Sequence, residues 1–242
     1  SSMTQTRDAR TPTGAHRALG QFHGHGTGPR LVAVGGGKGG VGKTLVTANL
    51  AAALAQAGRR VVAVDTDLEG ANLHTVLGVA APRASLADYV AKREPDLRKL
   101  LVDTPIPGLR LIAGTHGHLG VPQPRSFRRV ALLGELRKLP ADFVLVDLGA
   151  GTHPSVMDYF LVGDDGILVL TPEPTSVENA YSFLRAAFYR RLRLAMTSES
   201  ARKLVHQAMD QGNQRGIRTP LDLLREVRAI APEEGLRLTA AI

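Results

Sequence analysis

From residue 31 onward, apolar runs bounded by turn residues alternate with amphipathic stretches, a pattern that predicts strands and helices in succession. Residues 31–35 (LVAVG) form a continuous apolar run of buried-strand type. They lead through glycines into an alanine-rich helix over 43–58 that Gly58 closes. Residues 60–67 (RVVAVDTD) predict a second strand ending in acids, and 85–91 a helix with Ser85 as N-cap and Asp88 three residues on. A third strand follows over 108–114, a helix over 125–139, a fourth strand over 142–151 running into glycines, and a fifth over 165–174 stopped by prolines. Five apolar strands separated by helices predict an α/β fold: a doubly wound, mainly parallel sheet with helices on both faces, because parallel connections need crossovers. Beyond residue 175 the pattern is helical throughout, with caps expected at Ser176, at Ser198 or Ser200, and at Thr219 before Pro220. A chain that ends in three helices without another strand also fits a fragment.

Residues 1–30 lack this periodicity and are rich in Gly, Thr, Arg and His, so they are expected to be a disordered or loosely packed extension of one domain over 31–242. Ser1 and Ser2 ahead of Met3 have the look of an expression remnant. His16, His23 and His25 lie in this tail without a fourth ligand and are read as bystanders. The net charge of +8 is uneven: four Arg against one Asp in 1–30, a balanced 31–184, and 11 basic against 6 acidic residues in 185–242. Excess positive charge on the tail and last quarter suits an anionic surface, or simply solvated arginines. The chain has no cysteine, which excludes disulfides and thiolate-held metals or clusters. With no apolar run of about 18 residues and no signal peptide, a cytoplasmic location is expected.

The chemistry concentrates in residues 35–44 (GGGKGGVGKT). Gly37, Gly42, Lys43 and Thr44 meet the phosphate-loop spacing G-x-x-x-x-G-K-[ST] between a predicted strand and a predicted helix. There, successive backbone N–H groups converge on phosphate oxygens, Lys43 reaches the outer phosphates, and the Thr44 hydroxyl binds Mg²⁺. Asp147 closes an apolar strand ahead of Gly149 and Gly151, as a metal-holding acid beside a γ-phosphate-sensing turn would. Asp65 and Asp67 end the neighbouring strand, where alternation points both to one face. Either can meet the metal or the attacking water, or be satisfied by backbone N–H groups. Lys38 is a second lysine at the loop entrance, which the general motif does not require.

KGGVGKT, followed by VDTDLEGANL and VDLGAG, resembles the deviant Walker A family of P-loop ATPases, which includes MinD, ParA/Soj, FlhG/FleN, ArsA, the nitrogenase iron protein and the Mrp-type carriers. The likeness covers about residues 31–180, and SLADYV, GLRLIAG and TPEPTSVENAYSFL look most like the MinD/FlhG branch. The resemblance implies an ATPase that binds Mg·ATP as a homodimer. Lys38 then reaches the phosphates of the partner's nucleotide, Lys43 acts in cis, and Asp67 lies near the attacking water. Asp147 with Thr44 and Asp67 serves the metal, and Gly149 to Gly151 form the second switch. The nucleotide contacts implied are Gly37, Lys38, Gly39, Gly40, Val41, Gly42, Lys43, Thr44, Leu45 and Gly151. Flanking glycines let a second polypeptide approach Lys38. The absent cysteines argue against the cluster-carrying and metal-pumping branches, and the four scattered tyrosines against the tyrosine kinases. What remains is a positional or regulatory switch, for the division site, a cargo or the flagellum, slow until a regulatory protein activates it. The alternative is a ParA-like, ATP-gated DNA binder in which Arg185, Arg190, Arg191 and Arg193 contact phosphates. The family's next strand, with its adenine-reading Asn, and its membrane-binding terminal helix are not recognisable before Ile242, so a membrane or nucleoid surface remains an expectation.

Overall fold

A computed structural model describes residues 28–68, 70–80, 82–115, 126–196, 198–209, 216–217 and 220–233. The basic tail through residue 27 and the cap assigned to Thr219 lie outside them. The strands are β1 (Arg30–Gly35), β2 (Val61–Asp65), β3 (Val102–Asp103), β4 (Leu109–Ile112), β5 (Phe143–Asp147) and β6 (Asp165–Leu168). The helices are α1 (Lys43–Gln56), α2 (Leu73–Val76), α3 (Leu86–Val90), α4 (Ser126–Leu136), α5 (Pro154–Val162), α6 (Pro174–Ala195), α7 (Glu199–Met209) and α8 (Pro220–Ile230), with a 3₁₀ turn at Leu97–Leu100.

One sheet runs in the order β3-β4-β2-β5-β1-β6, parallel throughout except for the two-residue β3, which pairs antiparallel with β4. Alternation along each strand divides its side chains between two cores. Leu31, Ala33, Val62, Val64, Val144 and Val146 face α3, α4 and α5 on one side. Val32, Val61, Ala63, Leu109, Leu111 and Leu145 face α1 and α2 on the other. This double burial is why the strands read as continuous apolar runs rather than alternating ones. The parallel register sets Asp65 of β2 beside Asp147 of β5, and Val34 of β1 beside Asp147, so the loop after β1 and both acids emerge together at the carboxyl edge.

The five expected strands are present. The second is shorter than expected, stopping at Asp65, so Asp67 belongs to the loop beyond it. The short β3 and the helices α2 and α5 were not anticipated. α5 escapes periodicity because it reads PSVMDYFLV and is buried on most sides, with Ser155, Met157, Asp158, Tyr159 and Val162 all inside. Ser85 and Asp88 form the expected capping box. Burial opposes ionisation of Asp88, but bonds from Arg93 and Ser85 outweigh it and hold the carboxyl below its ordinary value. Ser198 caps α7, accepting from Ala201 N at 3.3 Å. Ser176 does not cap α6: the helix starts two residues earlier at Pro174, whose fixed φ suits a first helical position, and Ser176 Oγ instead accepts from Thr171 N at 3.0 Å.

Candidate functional site

Gly42 takes a left-handed conformation (φ 95°) immediately before α1, a value only glycine adopts without strain. It turns the loop so that the first-turn N–H groups of α1 point into the concavity. Lys43 is buried along its stem and donates from Nζ to the Lys38 carbonyl at 3.4 Å, holding the ammonium across the loop. Gly37 lies against α6: a Cβ there would fall on the Asn179 carbonyl. Nothing stands within 4 Å of where a Cβ would project from Gly39 or Gly40, so this side of the loop is open. Val41 is half-buried and Leu45, in the first turn of α1, is 59 % exposed beside the loop.

Below the loop, Asp147 is almost fully buried and bonded to two hydroxyls, those of Thr44 and Thr47. Thr47 Oγ1 is 3.1 Å from Asp147 Oδ1 and 3.0 Å from the Lys43 carbonyl. Burial raises the Asp147 pKa above its ordinary value; Thr44, Thr47 and Lys43 pull it down, and the charge of Asp67 pushes it up. Asp65, 1 % exposed, is pushed to about 7 by burial first and by Asp147 second. It does not line the cavity that Thr66 and Asp67 face. Its oxygens accept from the N–H groups of Asp67 (3.0 Å), Asn72 (3.1 Å) and Leu73 (3.2 Å), so it anchors the loop that carries Asp67 and the start of α2. Asp67 accepts from Gly70 N at 2.9 Å, and a Cβ on Gly149 would lie 3.6 Å from its carboxyl carbon. The loops after β2 and β5 therefore meet at Asp67 and Gly149, beside a cavity of about 580 Å³ lined by Thr66, Asp67, Gly149, Ala150, His153 and Tyr159. Gly151 closes the second loop at φ 87°.

Lys38 lies at the rim with its side chain 44 % exposed, 3.4 Å from Thr175 Oγ1 and 3.6 Å from Glu173 at the start of α6. Sequence reading missed these partners, and missed Thr47, whose signal was its place one turn beyond Lys43. It also missed His153, which caps α5 through Nδ1, 2.7 Å from Ser155 Oγ. Of the four arginines expected as a DNA face, Arg190 is only 12 % exposed and ion-paired with Asp158 at 2.7 Å, whereas Arg185, over the Tyr189 ring, and Arg191 are exposed and Arg193 is half-buried. The donor set at Thr44 and Asp147 fits Mg²⁺, since a hydroxyl and a carboxylate held together in a low-dielectric, negatively charged site leave a cation favourably placed.

The sequence pattern of the CobQ/CobB/MinD/ParA nucleotide binding domain matches residues 32–229. The chain belongs to that family. Among MinD/ParA-type relatives it is similar to the antiactivator FleN of Pseudomonas aeruginosa, 36 % identical over 158 residues, covering 64 % of this chain and 55 % of FleN. It is also similar to the flagellum site-determining protein YlxH of Helicobacter pylori, 32 % identical over 162 residues, covering 64 % and 53 %. The chain thus spans about half the length of the curated relatives it matches. Among solved structures, the septum site-determining protein MinD of Pyrococcus horikoshii OT3, complexed with Mg-ADP, aligns with a TM-score of 0.57 at 35 % identity over 62 % of this chain and 61 % of that one. The expected MinD/ParA-type P-loop fold is therefore the observed one.

Proposed function

We propose that this chain is a Mg·ATP-dependent switch ATPase that dimerises around its nucleotide and regulates or places a cellular machine such as the flagellum or the division site. The observation that carries the reading is the joining of Thr44 and Thr47 to the buried Asp147 under a loop that holds Lys43 inside and Lys38 at its open rim. A bound Mg²⁺ would be held by the Thr44 hydroxyl and by Asp147, and would neutralise charge on the phosphates. Backbone N–H groups of 39–44 and the Lys43 ammonium bind the β and γ phosphates. Asp67, fixed by Gly70 N–H and set against Gly149, orients water in the adjoining cavity and accepts its proton. Lys38 is exposed and lightly held, so a second copy approaching the open glycine side can draw it across to its own phosphates. The relatives named as an antiactivator and a flagellum site-determining protein support a regulatory output.

Light scattering coupled to size exclusion, with Mg·ADP and with a non-hydrolysable Mg·ATP analogue, tests the switch. The parent is expected to be monomeric with ADP and dimeric with the analogue. Lys43→Ala should lose nucleotide binding, Lys38→Ala should bind as a monomer without dimerising, and Asp67→Ala should dimerise but turn over about 100-fold more slowly. A Lys38→Ala chain that dimerises like the parent overturns the role of Lys38. Salt-sensitive binding of the dimer to bare duplex DNA, with none to anionic vesicles, would favour the DNA-gated alternative.

A further inference from the structure

Asp158 lies in α5 with its side chain 0 % exposed, and the reaction proposed above makes no use of it. Each of its oxygens takes two guanidinium contacts. Arg129 of α4 donates to Oδ2 from Nε at 2.9 Å and Nη2 at 2.8 Å. Arg190 of α6 donates to Oδ1 from Nε at 2.8 Å, with Nη2 at 2.7 Å. The arginine side chains are themselves only 9 % and 12 % exposed. Withdrawing three charges from water costs about what their attraction returns, so such a triad adds little stability beyond an apolar trio of equal volume. Its best-attested use is to fix register, and paired guanidinium forks do so directionally.

Here the register is that between two parts of the phosphate site. α5 begins three residues after Gly151, so whatever holds α5 also holds the Gly149–Gly151 turn and the His153 cap. α6 begins on the phosphate loop, with Thr175 and Glu173 at Lys38 and the Asn179 backbone against Gly37. Eleven residues further along, about 16 Å at helical rise, α6 presents Arg190 to Asp158. The loop after β1 and the turn after β5 are thus joined twice, once through the sheet and once through Asp158. From Tyr189 onward, α6 belongs to a separate apolar cluster with α7 and α8.

We propose that Asp158 is a positioning residue of the hydrolytic site: gripped by Arg129 and Arg190, it sets the Gly149–Gly151 turn against the phosphate loop and transmits movement of that turn to α6 and the helical cluster beyond. This rests on the nucleotide-switch reading above. Asp158 acts on the nucleotide only through the backbone it holds, so its loss should separate turnover from affinity. It should also separate the responses of two segments that bind the same phosphate.

The test is hydrogen exchange of peptides spanning 35–44 and 149–156, without nucleotide and with the non-hydrolysable Mg·ATP analogue, alongside steady-state hydrolysis. Two variants are used. Arg129→Met/Asp158→Leu/Arg190→Met replaces the whole triad with apolar side chains and avoids stranding a buried charge. Arg190→Lys keeps the charge but loses the fork, and decides the matter should the triple variant fail to fold. In the parent, both peptides should gain protection. In the triple variant, 35–44 should be protected as in the parent while 149–156 loses most of its gain, and kcat should fall about ten-fold or more with KM within about two-fold. Arg190→Lys should lie between. Parent-like protection of both peptides and parent-like kcat in the folded variants overturn the proposal alone, leaving Asp158 a packing group. A parent whose loop gains no protection overturns both this proposal and the nucleotide reading beneath it.

Discussion

Asp65 and Asp67 are two residues apart and of one chemical type, yet they have different tasks. The strand ends at Asp65, and the chain then turns so that three N–H groups converge on that carboxylate, leaving Asp67 at the cavity. A sequence cannot reveal this divergence, because alternation holds only while the strand lasts. The raised pKa values give it a measurable consequence. Asp65 has a folded pKa of about 7 against an ordinary 3.8, so the folded chain holds a proton that the unfolded chain releases. Its contribution to stability is full below about pH 4 and is lost as pH rises through 7. Asp147, also raised, acts in the same direction. A bound Mg·ADP would favour the ionised form of Asp147 directly, and that of Asp65 only through its nearby charge, and so oppose that loss. The rise in thermal midpoint caused by Mg·ADP should therefore be larger at pH 8 than at pH 5, and binding near pH 6.5 should release protons, measurable by titration calorimetry in buffers of different ionisation enthalpy. A midpoint shift independent of pH would remove Asp147 from the metal site.

Among the elements, α6 gathers the most consequences. Its position was legible from Pro174 and the apolar spacing after it, but its start was not, since Ser176 had the chemistry of a cap and Pro174 the geometry of a first turn. What periodicity could not show is that the first two turns of α6 form one wall of the phosphate loop. Gly37 is consequently required on steric grounds rather than for phosphate approach alone. Gly37→Ala should force the loop and α6 apart, costing about 1–3 kcal/mol and lowering affinity for a fluorescent nucleotide about ten-fold or more, even though the alanine touches no phosphate. Binding within two-fold of the parent would show that the loop closes independently of α6. α5 was missed for the opposite reason: a helix buried on most sides has no polar face to give it a period, and its one charged residue, Asp158, is neutralised from two neighbouring helices.

At the scale of the molecule, the apolar interior falls into separate clusters. Two line the faces of the sheet, and a third joins the last turns of α6 to α7 and α8 around Leu192, Leu204, Leu223 and Val227 without a strand residue. Leu223→Ala should cost about 2–5 kcal/mol by opening a cavity in that third cluster alone. Urea denaturation followed at the helices should then show an earlier transition while Mg·ADP affinity stays near the parent value. A single coincident transition with lost affinity would make the three helices an integral wall of the nucleotide domain.

By itself the sequence determined the five parallel strands, the phosphate loop, the acid at the end of β5 and the parallel α/β class. These follow from local rules: apolar run length, glycine at a turn, and the hydroxyl and amine a phosphate needs. The tertiary structure decided which acid faces the cavity, that Lys38 rests on the start of α6, that Arg190 is an internal partner of Asp158 rather than a surface charge, and that α5 exists as a helix. Each depends on what lies opposite a residue from a distant part of the chain. A buried carboxylate or arginine takes its role from that partner, because only a matched partner offsets its removal from water.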